Sequence, residues 1–400
     1  MSRLCIRCLL EILCVALFAA RASAQISDGV VKIGILNDMS GPYADAAGKG
    51  SVVAAQMAVS DFGNTVRGAP IELVSADHQN KPDIATAIAR RWFDREKVDA
   101  IVDLPVTSIA LAVQQIGLEK KRTIMITSGA TSDITSKFCN PTSSHWIDDT
   151  QTLTAGTSRA VLEQGGKTWY FLTVDHAFGN ALQRQVTDAL SKRGGKVVGA
   201  SRFPIGTSDF ASYLVQAQSS NADVIALAAV GDEFSTAVKQ ANEFGLMDGK
   251  RIIAGFLVFI TDVHALGLSV AQHLTFSSAF YWDQSAGTRE FSLRFFAITG
   301  KMPTKIQALT YTAVKHYLRA IDATDSDESL VANRAMRAMP VEFFGKSVTL
   351  RADGRLIYDP VLYRVKTPAE SKRPWDYFEP IREIPASEAF LPMNEACATP

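Results

Sequence analysis

The sequence lacks the local signatures that catalysis or metal binding leave in a chain. Gly48-Lys49-Gly50-Ser51 has part of a phosphate loop's composition but not its Gly-x-x-x-x-Gly-Lys-Ser/Thr spacing, and it falls inside a stretch that reads as helix. No Gly-x-Ser-x-Gly elbow presents a hydrolase nucleophile. The histidines, His78, His145, His176, His264, His273 and His316, are scattered, with no His-x-x-x-His pair to hold zinc. Asp148-Asp149 and the Asp322, Asp325 and Asp327 group read as loop or helix-end carboxylates. These absences set the expectation of a protein that is not an enzyme and takes no cofactor and no metal.

Excess charge and long apolar runs are missing too. The 41 basic and 41 acidic residues balance, so no basic face invites nucleic acid or an anionic membrane. The longest apolar run near the start, Ile12 to Ala20, is too short for a span, which needs about 20 residues. It follows Arg3 and Arg7 and precedes Ala22-Ser23-Ala24, the pattern of a secretory signal peptide over residues 1–24, cleaved after Ala24. A buried N-terminal helix is the alternative. Cleavage leaves 376 residues with 38 basic and 40 acidic side chains, a net charge near −2, and no membrane insertion. Export places the protein in the periplasm.

Cysteine is scarce in that mature chain. Cys5, Cys8 and Cys14 leave with the signal peptide, and Cys139 and Cys397 remain. In an oxidising compartment two cysteines without a nearby Cys-x-x-Cys point to a disulfide, with two separate buried thiols as the alternative.

What is present is alternation. Short β-rich runs (Val30 to Leu36, Ile71 to Ala76, Ala100 to Leu104, Thr123 to Thr127) alternate with helical stretches. The pattern restarts at Trp169 to Val174, Val197 to Phe203, Val224 to Val230 and Arg251 to Phe256. That is the signature of parallel sheets covered by helices, and its repetition predicts an α/β chain with two doubly wound parallel-sheet lobes. Helices over 289–298, 307–323 and 329–338 and a hairpin through Asp353-Gly354 follow. The tail from Thr367 reads as a surface strap.

Small polar residues cluster just past strand ends: Ser40 to Tyr43, Thr107-Ser108, and Ser128-Gly129 to Thr131. In an open parallel sheet ligands bind beyond the carboxyl ends of the strands, and hydroxyls and free N–H groups there suit an anion. Helix capping is the plainer reading of each residue taken singly.

Val31-Lys32-Ile33-Gly34-Ile35-Leu36-Asn37-Asp38-Met39-Ser40-Gly41 resembles the opening of the leucine/isoleucine/valine-type periplasmic binding proteins of ABC importers. The likeness extends through Ser75 to Pro82, Ser128 to Thr131, Asp175 to Gly179, Thr207 to Phe210 and Gln307 to Tyr311. The resemblance implies two lobes joined by a three-strand hinge that close on a small ligand and hand it to permease subunits. It places the first lobe at 29–145 plus 283–335, the second at 146–282 plus 336–385, and a tail at 386–400, in a monomer. It implies ligand contacts at Ser40, Tyr43, Thr107, Ser108, Ser128, Gly129 and Thr131 of the first lobe. Trp146, His176, Phe178, Asp232 and Phe256 complete the set, with Phe259, Tyr281 and Trp282 as further aromatic walls. Where relatives carry an acid for the ligand ammonium, this chain has Gly255-Phe256-Leu257-Val258-Phe259, which turns the expectation from amino acids towards an aromatic or apolar carboxylate. A branched-chain amino acid or amide, or a sensing role at a membrane receptor, are the alternatives. Cys139 and Cys397 fall where a subgroup of relatives, some of them binders of aromatic carboxylates, has cysteines; in that subgroup the resemblance implies their pairing.

Overall fold

The computed structural model describes residues 26–247 and 249–397, so the signal-peptide reading lies outside the described residues. The first lobe is built on strands β1 (Val31–Asn37), β2 (Thr65–Val66), β3 (Ala69–Asp77), β4 (Ala100–Asp103), β5 (Thr123–Ile126) and β6 (Ser143–His145), in the order β2-β3-β1-β4-β5-β6. All neighbours pair in parallel except the short β2–β3 hairpin. β4 and β5 are buried along their whole length, as expected of strands with helices on both faces. Gly34 in β1 is fixed by packing: a Cβ there would lie 2.4 Å from the Trp92 ring of the helix Pro82–Asp94.

The second lobe repeats the plan with β7 (Thr168–Val174), β8 (Lys196–Phe203), β9 (Val224–Ala228) and β10 (Ile252–Gly255), ordered β10-β9-β7-β8 and all parallel. β11 (Thr275–Ser278) packs beside the helix Thr150–Glu163 of this lobe. The chain then returns to the first lobe, where the helices Ala286–Thr299 and Lys305–Thr324 cover the helix Gly48–Phe62. A small antiparallel sheet follows, of β12 (Pro340–Phe343), β13 (Lys346–Leu350) and β14 (Leu356–Ile357). It packs on Lys305–Thr324 and on the helix Ser329–Ala338. β15 (Val361–Val365) and β16 (Phe378–Glu383) then pair with β11.

Sequence reading placed β1, β3 to β5 and β7 to β10 within two residues of their observed ends and found the β13–β14 hairpin. It missed the short strands β2 and β6 and the short helices Asp133–Ser136, Ile260–Leu266 and Leu268–Ala271, and three further elements for reasons that can be stated. β12 is only four residues long, with Pro340 at its start. The helix Thr150–Glu163 is rich in threonine, a poor helix former, and is started by Asp149, whose carboxylate accepts from Thr152 N at 2.9 Å. The tail from Thr367 is not all strap: Phe378–Glu383 is an edge strand, which tolerates Pro380 in a way a central strand does not.

The chain crosses between lobes after β6, after β11 and after β14, and the three crossings meet at a buried charge. Asp148, on the first, is fully buried and accepts from Lys305 Nζ at 2.7 Å. It also takes Ala279 N from the second crossing at 3.3 Å and Tyr358 Oη from the third at 2.7 Å. Beside it Arg355 donates to the His145 carbonyl at 3.1 Å and lies 3.3 Å from the Asp149 carboxylate. A buried ion pair gains little over an apolar pair, but removing one partner strands the other charge. Lys305→Met is expected to lower the unfolding free energy by about 3–5 kcal/mol, and the double variant Asp148→Asn/Lys305→Met by less than the single. Urea denaturation of the two proteins checks it.

Candidate functional site

The cleft between the lobes is lined by the loops that leave the carboxyl ends of the parallel strands. In the loop after β1 the buried Asp38 carboxylate accepts from Gly41 N at 2.7 Å, Tyr43 N at 2.9 Å and Asn80 Nδ2 at 2.7 Å. This knot aims Tyr43 across the cleft. Its hydroxyl meets His176 Nε2 of the second lobe at 3.3 Å, while the Pro42 carbonyl accepts from Asp232 N at 3.2 Å. The lobes touch so closely here that a Cβ on Gly231, itself at φ +61°, would fall 2.4 Å from that carbonyl. Gln185 Nε2 donates to Ser132 Oγ at 2.7 Å, a second bridge. The cleft is closed.

Inside it lies a small pocket. From the first lobe it is walled by Tyr43, Ala46, Pro105, Thr107, Ser128, Ala130 and Ile306; from the second by His176, Phe178, Val230, Leu257 and Phe259. No ionised side chain is among them. Thr107 opens the helix Thr107–Lys120, whose N-cap, Val106, supplies no side-chain acceptor. Its Oγ1 is buried without a hydrogen-bond partner, and the first N–H groups of that helix have no partner within it. Asp103 (φ +96°) and Leu104 (φ +68°), just before this turn, both hold the left-handed region. Such strain costs roughly 1–3 kcal/mol per residue and clusters at binding sites.

The polar walls are neutral. Burial holds His176 down to about 4 against the opposing pull of Asp175. Burial, reinforced by Glu233 and Asp38, raises the Tyr43 hydroxyl well above its ordinary range. Sequence reading missed Glu233, in the first turn of the helix Asp232–Glu243. Its side chain is buried, with Oε1 accepting from Gly206 N at 2.6 Å and Oε2 unpartnered. Burial, with Asp232 adding, pushes this carboxyl up to about 7, the Gly206 bond opposing. The signal available was an acid at the start of a helix after a strand end, where only its neighbour Asp232 was weighed.

Of the residues singled out from sequence, Tyr43, Thr107, Ser128, His176, Phe178 and Phe259 meet in this pocket. Ser128, though, gives its proton to the buried Asp103, so its oxygen faces the pocket as an acceptor. The others sit elsewhere. Ser40 donates to Asp77 at 2.5 Å on the exposed side of its loop, and Ser108 is exposed on the outer face of its helix. Gly129 lies behind the wall, where a Cβ would meet Ala110 at 2.9 Å. Thr131 Oγ1 accepts from Asp133 N at 3.3 Å. Trp146 is a core residue with no exposure; its indole N–H donates to Ser144 Oγ at 2.8 Å and its ring meets His316 edge-on. Phe256 is likewise wholly buried behind Leu257, and the Asp232 carboxylate points to solvent. Tyr281 and Trp282 turn to the hinge, where Tyr281 Oη (3.1 Å) and Trp282 Nε1 (2.7 Å) donate to the Trp375 carbonyl.

The sequence profile of the periplasmic binding protein family matches residues 30–372. The chain belongs to that family. A solved periplasmic binding protein from Burkholderia mallei is 43% identical with a TM-score of 0.88, over 91% of this chain and 96% of that one. A Burkholderia xenovorans structure, described as a branched chain amino acid ABC transporter periplasmic ligand-binding protein, is 38% identical with a TM-score of 0.80, over 90% and 97%. The Brucella abortus Leu/Ile/Val-binding protein homolog 6 is 29% identical over 268 residues, 65% of this chain and 67% of that one. Two Rhodopseudomonas palustris solute binding proteins, in complex with benzoate and 4-hydroxybenzoate, share the fold at a TM-score of 0.80 with 19% and 23% identity. This periplasmic binding protein is thus an ABC-type solute-binding protein, and no helix among its described residues is long and apolar enough to cross a membrane.

A carboxyl raised by folding keeps a proton that the unfolded chain releases. Stability conferred by Glu233 is therefore present below its ordinary value of 4.5 and is lost as pH rises to about 7. The stability difference between the natural protein and Glu233→Gln is expected to move against the natural protein across that window. Urea midpoints measured from pH 4.5 to 7.5 check it; a difference independent of pH means the carboxyl is ionised in the fold.

Proposed function

We propose that the protein captures a small organic monocarboxylate with an apolar, aromatic body in the periplasm and delivers it to the permease of an ABC importer, without chemistry. The observation that carries this reading is the unpartnered, buried Thr107 hydroxyl at a helix N-terminus in a pocket that holds no ionised side chain. A carboxylate set there accepts from Thr107 Oγ1 and from the free N–H groups of the first turn, and the positive end of the helix dipole favours its charge. A buried anion needs such full hydrogen bonding.

An α-amino acid would bring an ammonium that also needs a partner. Of the acids close in the chain to the second-lobe wall, Asp175 and Asp232 are exposed, and burial raises Glu233 to about 7 and Asp262 to about 8. Phe178, Val230, Leu257 and Phe259 instead offer an apolar enclosure to a flat body, with Tyr43 and His176 at its edge. The Rhodopseudomonas palustris complexes with benzoate and 4-hydroxybenzoate make those acids the first to try. The branched-chain name of the Burkholderia xenovorans relative makes leucine and isoleucine the necessary controls. The same reading takes residues 1–24 as a cleaved signal peptide.

Calorimetric titration with benzoate, 4-hydroxybenzoate, cinnamate, leucine and isoleucine tests this. The aromatic acids are expected to bind and the amino acids not to. Thr107→Val, which keeps the shape and removes the hydroxyl, is expected to weaken binding about 10- to 100-fold, as loss of a hydrogen bond to a charged group does. Tight leucine binding with no response to the aromatic acids overturns the ligand assignment.

A further inference from the structure

The last segment of the chain runs back across the hinge. After β16 the turn Ala386–Ala389 packs on the helix Thr150–Glu163 of the second lobe, where Glu388 pairs with Arg159 at 3.1 Å. Ala386 N is held there by Asp359 Oδ1 at 2.7 Å. Phe390 then covers the meeting point of the crossings. Its ring lies edge-on to Tyr358 at 5.2 Å, with the Arg355 guanidinium 4.8 Å from its centroid. Leu391 O accepts from Arg351 at 2.9 Å, at the end of β13. From there the chain reaches the first lobe: Asn394 Nδ2 donates to Ser136 O at 2.8 Å, and Cys397 is disulfide-bonded to Cys139 with Cα atoms 5.6 Å apart.

We propose that this strap is a fourth tie between the lobes, closed covalently by the disulfide, and that it limits how far the cleft opens. The three crossings are continuous backbone that can bend about its hydrogen bonds. The strap differs in being anchored on the second lobe at one end, on the first at the other, and on the hinge between them. The Cys139–Cys397 bond closes a loop of 258 residues in sequence separation that contains the whole second lobe. Rotation of the lobes apart must stretch the 389–397 span or pull Phe390 off Tyr358, whose hydroxyl holds Asp148. Oxidised protein therefore samples a narrow range of openings, and reduced protein a wider one. The proposal concerns the hinge and is independent of which ligand the cleft takes.

Small-angle X-ray scattering and amide hydrogen exchange on the ligand-free full-length mature protein test this. Three samples are compared: the oxidised protein, the same folded protein reduced with a phosphine, and Cys139→Ser/Cys397→Ser. Reduction and the double substitution are each expected to raise the radius of gyration and speed exchange at residues 146–149 and 354–358, with the far-UV circular dichroism unchanged. A lower melting temperature with radius and exchange unchanged overturns the proposal, because the disulfide is then a staple of the fold alone. Should the thiol forms unfold, Phe390→Ala decides with the disulfide intact: faster exchange at 354–358 and a larger radius uphold the strap, and unchanged values overturn it.

Discussion

The structure depends on a single buried charge. Asp148 sits where three crossing segments converge and takes Lys305, Tyr358 and the Ala279 amide, so each crossing is fixed relative to the other two. Two lobes joined by three separate segments of chain need their angle fixed where those segments meet. A carboxylate with strict demands on its donors supplies that angle, because every donor withdrawn leaves charge uncompensated in a dry site. Lys305 carries the effect towards the ligand: its ammonium lies 5.6 Å from the centroid of the Phe259 ring in the second-lobe wall, and its neighbour Ile306 forms part of the first-lobe wall.

The cleft follows from the same geometry. Both sheets present the carboxyl ends of their strands to the gap, so loops and helix starts face each other across it. The side chains divide the labour. Asp38 and Asp103 are wholly buried and hold the loops, one through the turn that aims Tyr43 and the other through Asn37 and Ser128. Thr107 keeps its hydroxyl free. His176 and Tyr43 join the lobes as a neutral pair, since burial keeps the one unprotonated and the other protonated.

Much of this was legible in the chain, for reasons particular residues make plain. Val224 to Val230 reads as a strand, and Val224–Ala228 forms one, because so unbroken an apolar run suits a doubly buried strand. Tyr43, Thr107, Ser128, His176 and Phe178, which line the pocket, stood out in the sequence because they follow strand ends, a position set by local pattern. Trp146 was misplaced because the chemistry that suits an aromatic to a pocket wall also suits it to a core, and only the partner at Ser144 decides between them. Glu233 went unread because its neighbour Asp232 carries the same charge in the same turn; which of the two faces inward is a matter of helix phase against the second lobe.

The sequence by itself determined the alternation of strands and helices, its repetition into two lobes, the absence of catalytic and metal motifs, and the loops in which a ligand site would form. These are local or compositional properties, written in runs of a few residues. Tertiary structure alone decided which hydroxyl stays unpartnered, which acid is buried, and how the tail crosses the hinge to reach Cys139. Each of those depends on contacts between residues up to 258 positions apart, and no short-range pattern encodes which distant group arrives to take a hydrogen bond or exclude water.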